Sequence, residues 1–522
     1  LNPLSKTLRE SFRRVLLREK VEAFSRAFLT GFQPRRGGIV GELAHAELRP
    51  VQEGDKEWDD MRDAILNVVG LSRRDLLGGE MPRLRSWAAA RGSVAVKPAF
   101  PALTCTAQSD YLTGVRPSVH GIVGNGWHDR ALGEVHFWRQ SNRLVGAPKL
   151  WEVLRSERPG LRVANLFWWY NMGSSVDLAV TPRPIYRADG AKYFDIASYP
   201  QRLRPLLKNE LGDFPFHTFW GPKAGIAATQ WIADSVRWME MAEKPDLSLG
   251  YLPHLDYDPQ RFGPTDVRCV EARRAMDDLV MDLVEFLEAR GVRVTVLSEY
   301  GITAVDRPVA LNRVLREQGW LEVKEEMGRE VLDPMASRAF AVVDHQVAHV
   351  SVQDAALEGE VRRVLEATPG VGEVLDRSAQ RALGVEHPRA GDLIAVSDSR
   401  SWFCYPWWWD DAKAPDYART VDIHRKPGYD PCELFMDPAL SCPALRVAWF
   451  LARKKLGFRA LMEVVPLEAG LVGGSHGRVP EDPMDWPVLV GEGVRSERGE
   501  VSSTEVFSVL LEQARAVAVG RK

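Results

Sequence analysis

Between residues 246 and 301 an apolar run, a long amphipathic stretch and a second apolar run follow one another, and few chain paths satisfy that order. DLSLGYLP (246–253) and VRVTVLSEYG (292–301) are the apolar runs. Between them Ala272, Met276, Leu279, Val280, Leu283 and Leu287 recur at helical spacing. Glu271, Arg274, Asp278, Asp282 and Glu285 supply the wet side of that helix, predicted over Val267–Ala289. Strand, helix, strand in this order is a right-handed crossover unit, and it demands a parallel sheet covered on both faces. AILNVVG (64–70), SVAVKPAF (93–100) and LRVANLFWW (161–169) supply further strands of the same texture. The predicted fold class is α/β, with a central, mostly parallel sheet flanked by helices.

The texture changes from Asp306 to Asp411, where short helices alternate with strand-rich, His-bearing sequence such as SRAFAVVDHQVAHVSV (337–352). This stretch reads as a smaller α/β cap subdomain inserted into the core. The expected organisation is a basic helical extension over 1–60, core at 61–305, the insert at 306–411 and core again at 412–522. Within the extension, residues 1–32 set Arg13, Arg14, Arg18 and Lys20 among Phe12, Val15, Leu16, Leu17 and Val21. That pattern suits a docking helix, a membrane-surface helix or an arm packed on the core.

Lys and Arg total 68 against 71 Asp and Glu, a formal charge of −3, which argues against a polycationic nucleic-acid binder. The 5 cysteines include no CxxC pair, so a disulfide scaffold and a thiolate zinc site are both poor readings. A reducing compartment, the cytoplasm, is the expectation. No run of about 18 apolar residues occurs, so no transmembrane segment is expected, and the N-terminus lacks the apolar core of a signal peptide.

Polar motifs follow several of these strands, where an open α/β sheet places its ligands. FPALTCTAQSDYLTG (100–114) and RPSVHGIVGN (116–125) put Thr104 near a helix start, where backbone N–H groups favour an anion. Thr104 read alone is more often a cap than a nucleophile. In YLPHLDYDPQ (251–260), His254, Asp256 and Asp258 alternate and would share one face if the strand persisted. Glu299 ends another strand. His424 and Asp430 flank Arg425 and Lys426, which suit a phosphate or carboxylate. GGSHG (473–477) exposes His476 between glycines. Each is a turn or a surface group when taken singly; their concentration on one loop face is what points to a site.

These motifs together resemble the alkaline phosphatase superfamily, in its nucleotide pyrophosphatase/phosphodiesterase and phosphonoacetate hydrolase branch. The likeness rests on FPALT…YLTGVRPSVHGIVGN and on GGSHG leading into RVPEDPMDWPVLVGEG, over about 61–305 and 412–520. It implies an alkaline-phosphatase-like sheet, a threonine nucleophile and two divalent metals, usually zinc, that activate the alkoxide and clamp the phosphoryl oxygens. By resemblance the nucleophile is Thr104, the C-terminal metal histidine is His476, and the Asp-x-x-x-His pair falls on Asp256 and Gln260. The Asp that ends the first strand falls on Val69, the later Asp-His pair on Glu299 and Tyr300, and a phosphate-contacting Asn on Ala107. Val69 cannot bind metal and the Gln260 amide binds it weakly. Asn67, His254, Asp258, His424 and Asp430 are substitute donors for a displaced centre. One metal in an altered centre, or none, is therefore expected.

The leading expectation is a divergent metal-dependent hydrolase of phosphate or phosphonate esters. Asp256, Glu299 and His476 would hold metal, and Arg425, Lys426, Asn125 and Trp169 would bind a small anionic ester. Trp168, Trp169 and the FCYPWWW run (403–409) would form an apolar wall. A sulfatase or transferase variant, or a metal-poor pseudoenzyme holding an anionic metabolite or a partner protein, are the alternatives. A homodimer is among the assemblies left open.

Overall fold

The computed structural model describes residues 62–188 and 192–516; the extension expected over 1–60 lies outside them. The chain first lays down seven strands of the main sheet: β1 (Arg62–Val68), β2 (Ser93–Lys97), β3 (Val163–Leu166), β4 (Leu178–Pro182), β5 (Ile196–Tyr199), β6 (Leu247–Leu252) and β7 (Val292–Leu297). It then builds a four-stranded antiparallel sheet from β8 (Ala339–Asp344), β9 (Val347–Val352), β10 (Val371–Leu375) and β11 (Leu393–Ser397), in the order β8–β9–β11–β10. Finally β12 (Val488–Gly491) and β13 (Glu500–Ser502) return to the main sheet.

The nine-stranded order is β13–β2–β12–β7–β1–β6–β3–β4–β5. From β7 to β4 every pairing is parallel. Only β12 and the edge strand β5 run against their neighbours. β6 is buried along its whole length and β1 along its last five residues, as parallel strands covered on both faces must be. Five helices matter below: α1 (Thr104–Thr113), α2 (Ile226–Ala242), α3 (Arg268–Glu288), α4 (Pro443–Lys455) and α5 (Ser503–Ala516). The stripe predicted for α3 is the buried one, from Ala272 to Leu287. α2 and α3 pack on each other and on β6 and β7, while α5 packs on α1.

The observed strands stop short of the apolar runs, and the reason is local. β2 ends at Lys97 because Pro98 has no N–H to give a ladder. The strand expected over 246–253 ends at Leu252 and does not persist through His254 and Asp258; a 3₁₀ turn (His254–Asp256) and a short helix (Tyr257–Phe262) follow. His254, Asp256 and Asp258 therefore do not share a strand face. Among the described residues no helix is long and apolar enough to cross a membrane, and all five cysteines are free thiols.

Candidate functional site

The carboxyl ends of β1, β2, β3, β6 and β7 point to one edge of the sheet. From that edge the loops deliver Thr104 at the start of α1, Asp256 after β6, and Glu299 and Tyr300 after β7. The 473–477 loop closes over them. Its backbone passes so close to the Tyr257–Phe262 helix that a Cβ on Gly474 would sit 2.2 Å from the Pro259 carbonyl oxygen. His476 is fixed by its Nδ1–H, which donates to the Ala102 carbonyl at 2.8 Å, and Ala102 N–H donates to the Gly477 carbonyl at 2.8 Å. The loop and the turn before Thr104 thus hold each other in place.

At the centre stands the Tyr300 phenol. Its oxygen lies 3.1 Å from Thr104 Oγ1 and donates to Asp256 Oδ1 at 3.1 Å. The Tyr300 ring lies flat on His476, centroids 3.6 Å apart with planes 8° from parallel. His345 continues the column, 3.7 Å from His476 on one side and 3.7 Å from Tyr429 on the other. The Tyr429 hydroxyl donates to Gln260 Oε1 at 3.2 Å. Beneath Thr104, Glu299 Oε1 accepts N–H groups from Asn67 (2.5 Å) and Gln108 (2.6 Å). Asn125 ties α1 to the inserted hairpin: its Oδ1 accepts from Cys105 N–H, while its own N–H groups donate to Asp344.

Burial drives the titratable groups here toward their neutral forms. It raises the Asp256 carboxyl to about 7, with Tyr300 and Gln260 opposing. It raises Glu299 to about 8 against its two amide donors, and Asp344 to about 7. It lowers His476 to about 3 and pushes His345 well below its ordinary value. Near neutral pH Glu299 and the two histidines are therefore mostly uncharged, while Asp256 and Asp344 are divided between their two forms.

That donor set does not suit a divalent metal pair. A structural or catalytic zinc takes three or four anionic or imidazole donors at about 2.0–2.3 Å. His476 Nε2 keeps a buried lone pair without a hydrogen-bond partner, and with Asp256 Oδ1 4.0 Å away the two supply at most two donors to one ion. Tyr300 is held as a neutral phenol, burial raising its pKa well above the ordinary value. Val69 is packed in the apolar core with Ala107, and of the Glu299 carboxyl one oxygen, Oε1, is taken by two amides while Oε2 is buried without a partner. Among the described residues no group of three or more His, Cys, Asp or Glu side chains is placed to hold a metal ion.

Above the column opens a cavity of about 460 Å³. Thr104, Tyr300, Asp256, His345 and Tyr429 form its floor; Trp138, Trp169, Phe219 and Trp220 wall it; Arg183, Lys192 and Lys223 reach it with positive charge. Trp138 and Trp169 meet at 4.8 Å. Trp138 and His345, both lining the cavity, carry φ values of 57° and 61°, and Phe167 and Tyr170, on either side of Trp169, carry 72° and 55°. Bulky residues in the left-handed region are costly and persist where packing forces them, which is characteristic of ligand sites.

The other candidates lie apart from the floor. His424 lines the same cavity near its mouth. His254 is buried behind it, lowered to about 4 by burial, and Asp258 pairs with Arg261 at 2.8 Å. Lys426 is turned inward, 2% exposed, between Asp430 (2.6 Å) and Glu433 (2.8 Å). Arg425 points outward to Asp416 at 3.0 Å. Of the expected aromatic wall only Trp169 lines the cavity; Trp168 belongs to the main core, and Trp407 and Trp408 fill the second core around β8–β11. His345 and Tyr429 were absent from the sequence-based set. The polar Asp-His-Gln interrupting two apolar runs at 344–346 was the available sign, since a hairpin turn that remains buried must serve something.

Comparison with known proteins completes the picture. A family model described as type I phosphodiesterase/nucleotide pyrophosphatase matches residues 64–430, through the region expected as an insert. The chain is 24% identical over 217 residues to bovine ectonucleotide pyrophosphatase/phosphodiesterase family member 3, covering 40% of this chain and 20% of that protein. It is 25% identical over 270 residues to an uncharacterized pyrophosphatase/phosphodiesterase of Schizosaccharomyces pombe, covering 49% and 46%. The chain thus spans less than half the length of these curated relatives. In fold it resembles murine ectonucleotide pyrophosphatase/phosphodiesterase 5 (TM-score 0.52, 13% identity, 88% of this chain and 97% of that one), whose inactive threonine-to-alanine form is known with AMP. Phosphonoacetate hydrolase of Sinorhizobium meliloti with phosphonoformate is similar at TM-score 0.55 and 15% identity, over 88% and 96%.

Proposed function

The chain belongs to the type I phosphodiesterase/nucleotide pyrophosphatase family, and from that premise we propose that its metal centre has been exchanged for a hydrogen-bonded floor that binds a small anionic metabolite without zinc. The observation that carries this reading is Tyr300, at the position the resemblance gives to a metal histidine. Its hydroxyl joins Thr104 to Asp256 at 3.1 Å on each side. A phenol there satisfies the buried hydroxyl and carboxyl that metal ions would otherwise neutralise. Trp138, Trp169, Phe219 and Trp220 would hold a planar or apolar body, and Arg183, Lys192 and Lys223 its charge. Five free thiols favour the cytoplasm as the working compartment.

The murine neighbour's complex with AMP makes AMP the first probe. Calorimetric titration in EDTA is expected to give saturable binding, and bis(p-nitrophenyl) phosphate is expected to survive with or without added Zn²⁺. Zinc-stimulated turnover that disappears in Thr104→Ala overturns the proposal, as does failure of both AMP and p-nitrophenyl phosphate to bind.

One observation favours a second reading, a metal-free transferase or hydrolase. With Asp256 ionised, the chain Thr104–Tyr300–Asp256 is a continuous path: Thr104 Oγ1 bonds to phosphorus as the bond from phosphorus to the leaving p-nitrophenolate breaks, its proton passing to Tyr300 and the Tyr300 proton to Asp256. Its mark is a stoichiometric burst of p-nitrophenol in EDTA that Tyr300→Phe removes.

A further inference from the structure

Helix α4 stands out because none of its residues is buried. Its inner side nevertheless has work to do: Val447 and Leu451, one turn apart, line the mouth of the large cavity with Met462. Its outer side carries Leu445, Trp449, Ala452 and Leu456, spaced i, i+4, i+7 and i+11, which is one continuous stripe. Leu445 is 69% exposed, Trp449 66% and Leu456 74%. Phe458 and Leu461, in the segment just after the helix, are also exposed. Isolated apolar side chains on a surface are ordinary, but a contiguous stripe is not.

The charges around the stripe are all of one sign. Arg446 and Arg453 border it, and Lys454, Lys455 and Arg459 follow, with no Asp or Glu from 443 to 462. Glu463 takes a share of Arg446 at 3.3 Å. On the rim of the same cavity Phe194 is exposed beside Lys192. Apolar side chains that project between cations on an exposed helix match the interface of a bilayer: the hydrocarbon boundary takes Leu and Trp while anionic headgroups take Arg and Lys. Two other occupants fit less well. Residues 1–36 carry nine Lys or Arg against three Glu, so they would meet this face with like charge. A second copy of the face would do the same.

We propose that α4 and the segment after it, through Leu461, form a docking surface for an anionic lipid bilayer, set at the mouth of the cavity so that its ligand enters and leaves at the membrane surface. The proposal is independent of what the cavity binds, because vesicle binding is read without any cavity ligand.

The test is flotation of the full chain with phosphatidylcholine vesicles, with and without phosphatidylserine, beside the exposed-face variant Leu445→Glu/Trp449→Glu. The full chain is expected to partition to phosphatidylserine vesicles more than about tenfold over pure phosphatidylcholine, with the excess lost at high salt. The variant is expected to lose that partition while keeping its thermal transition, since both side chains contact mainly solvent. Unchanged partition of the variant overturns the assignment, and so does a wild type that ignores phosphatidylserine. A wild type that sediments as a dimer while the variant sediments as a monomer, neither floating, assigns the face to a second copy instead.

Discussion

Lys426→Met tests a deeply buried cluster of charges near the site. The ammonium lies 2.6 Å from Asp430 and 2.8 Å from Glu433, and all three side chains are almost wholly buried. Burial alone would lower the Lys426 pKa, yet the two carboxylates more than offset it and hold the pKa above its ordinary value. The lysine therefore stays charged throughout the range in which the fold can be assayed. Met preserves most of its volume and removes its charge. The triad then passes from a net charge of −1 to −2 inside the protein. Removing one partner of such a buried pair costs about 3–5 kcal/mol. A chain of this size unfolds with an entropy near ~1 kcal/mol/K, so the loss reads as roughly 3–5 °C in the melting temperature. The sign with pH follows from Glu433, whose carboxyl burial already raises and Lys426 restrains. Without the lysine it rises further, so acid protonates it early and relieves the repulsion. The deficit of the variant must narrow from pH 8 to pH 5. Lys426→Met/Glu433→Gln returns the net charge to −1 and must recover part of the loss. Thermal unfolding followed by circular dichroism across that pH range is the assay. A deficit that is flat with pH, or a double variant no more stable than the single one, refutes the argument.

Asn125→Ala strips the partner of Cys105 N–H and the side-chain donor to Asp344 Oδ1, while its backbone N–H still reaches Asp344 Oδ2, and should cost about 1–3 kcal/mol, read by chemical denaturation. Gly474→Ala drives a methyl into the Pro259 carbonyl and should destabilise by more than about 1–3 kcal/mol, since backbone cannot step aside. Trp169→Ala opens the cavity wall and should weaken AMP by more than about tenfold in calorimetry, with the melting temperature of the free protein falling far less than the affinity.

The sheet was readable because its strands are apolar on both faces and its long helix α3 has a clean stripe; both are properties of residues close in sequence. Thr104, Asp256, Glu299 and His476 were readable for a different reason, the habit of α/β sheets of gathering polar loops at one edge. What escaped was whatever depends on a distant partner. His345 reaches the floor from a hairpin whose strands lie in another sheet, and nothing near it in sequence says that Tyr429 and His476 will flank it. The FCYPWWW run is dense in aromatics for a core reason, the filling of the second sheet's interior, and composition cannot separate a core from a pocket. Lys426 reads as a free cation beside Arg425; only the fold brings Glu433 to its other side. The stripe of α4 has a helical period that sequence does show, but whether it turns inward or outward is a tertiary matter.

Val69, Gln260 and Tyr300 stand at three of the positions the resemblance gives to metal ligands, and Tyr300 is proposed to link Thr104 and Asp256 in place of a metal. Elemental analysis of the protein purified without chelator, then dialysed against micromolar Zn²⁺, measures this directly. Zinc well below one ion per chain, unchanged in His476→Ala, is the expected result. One or two tightly held ions per chain, lost together with His476, contradict it.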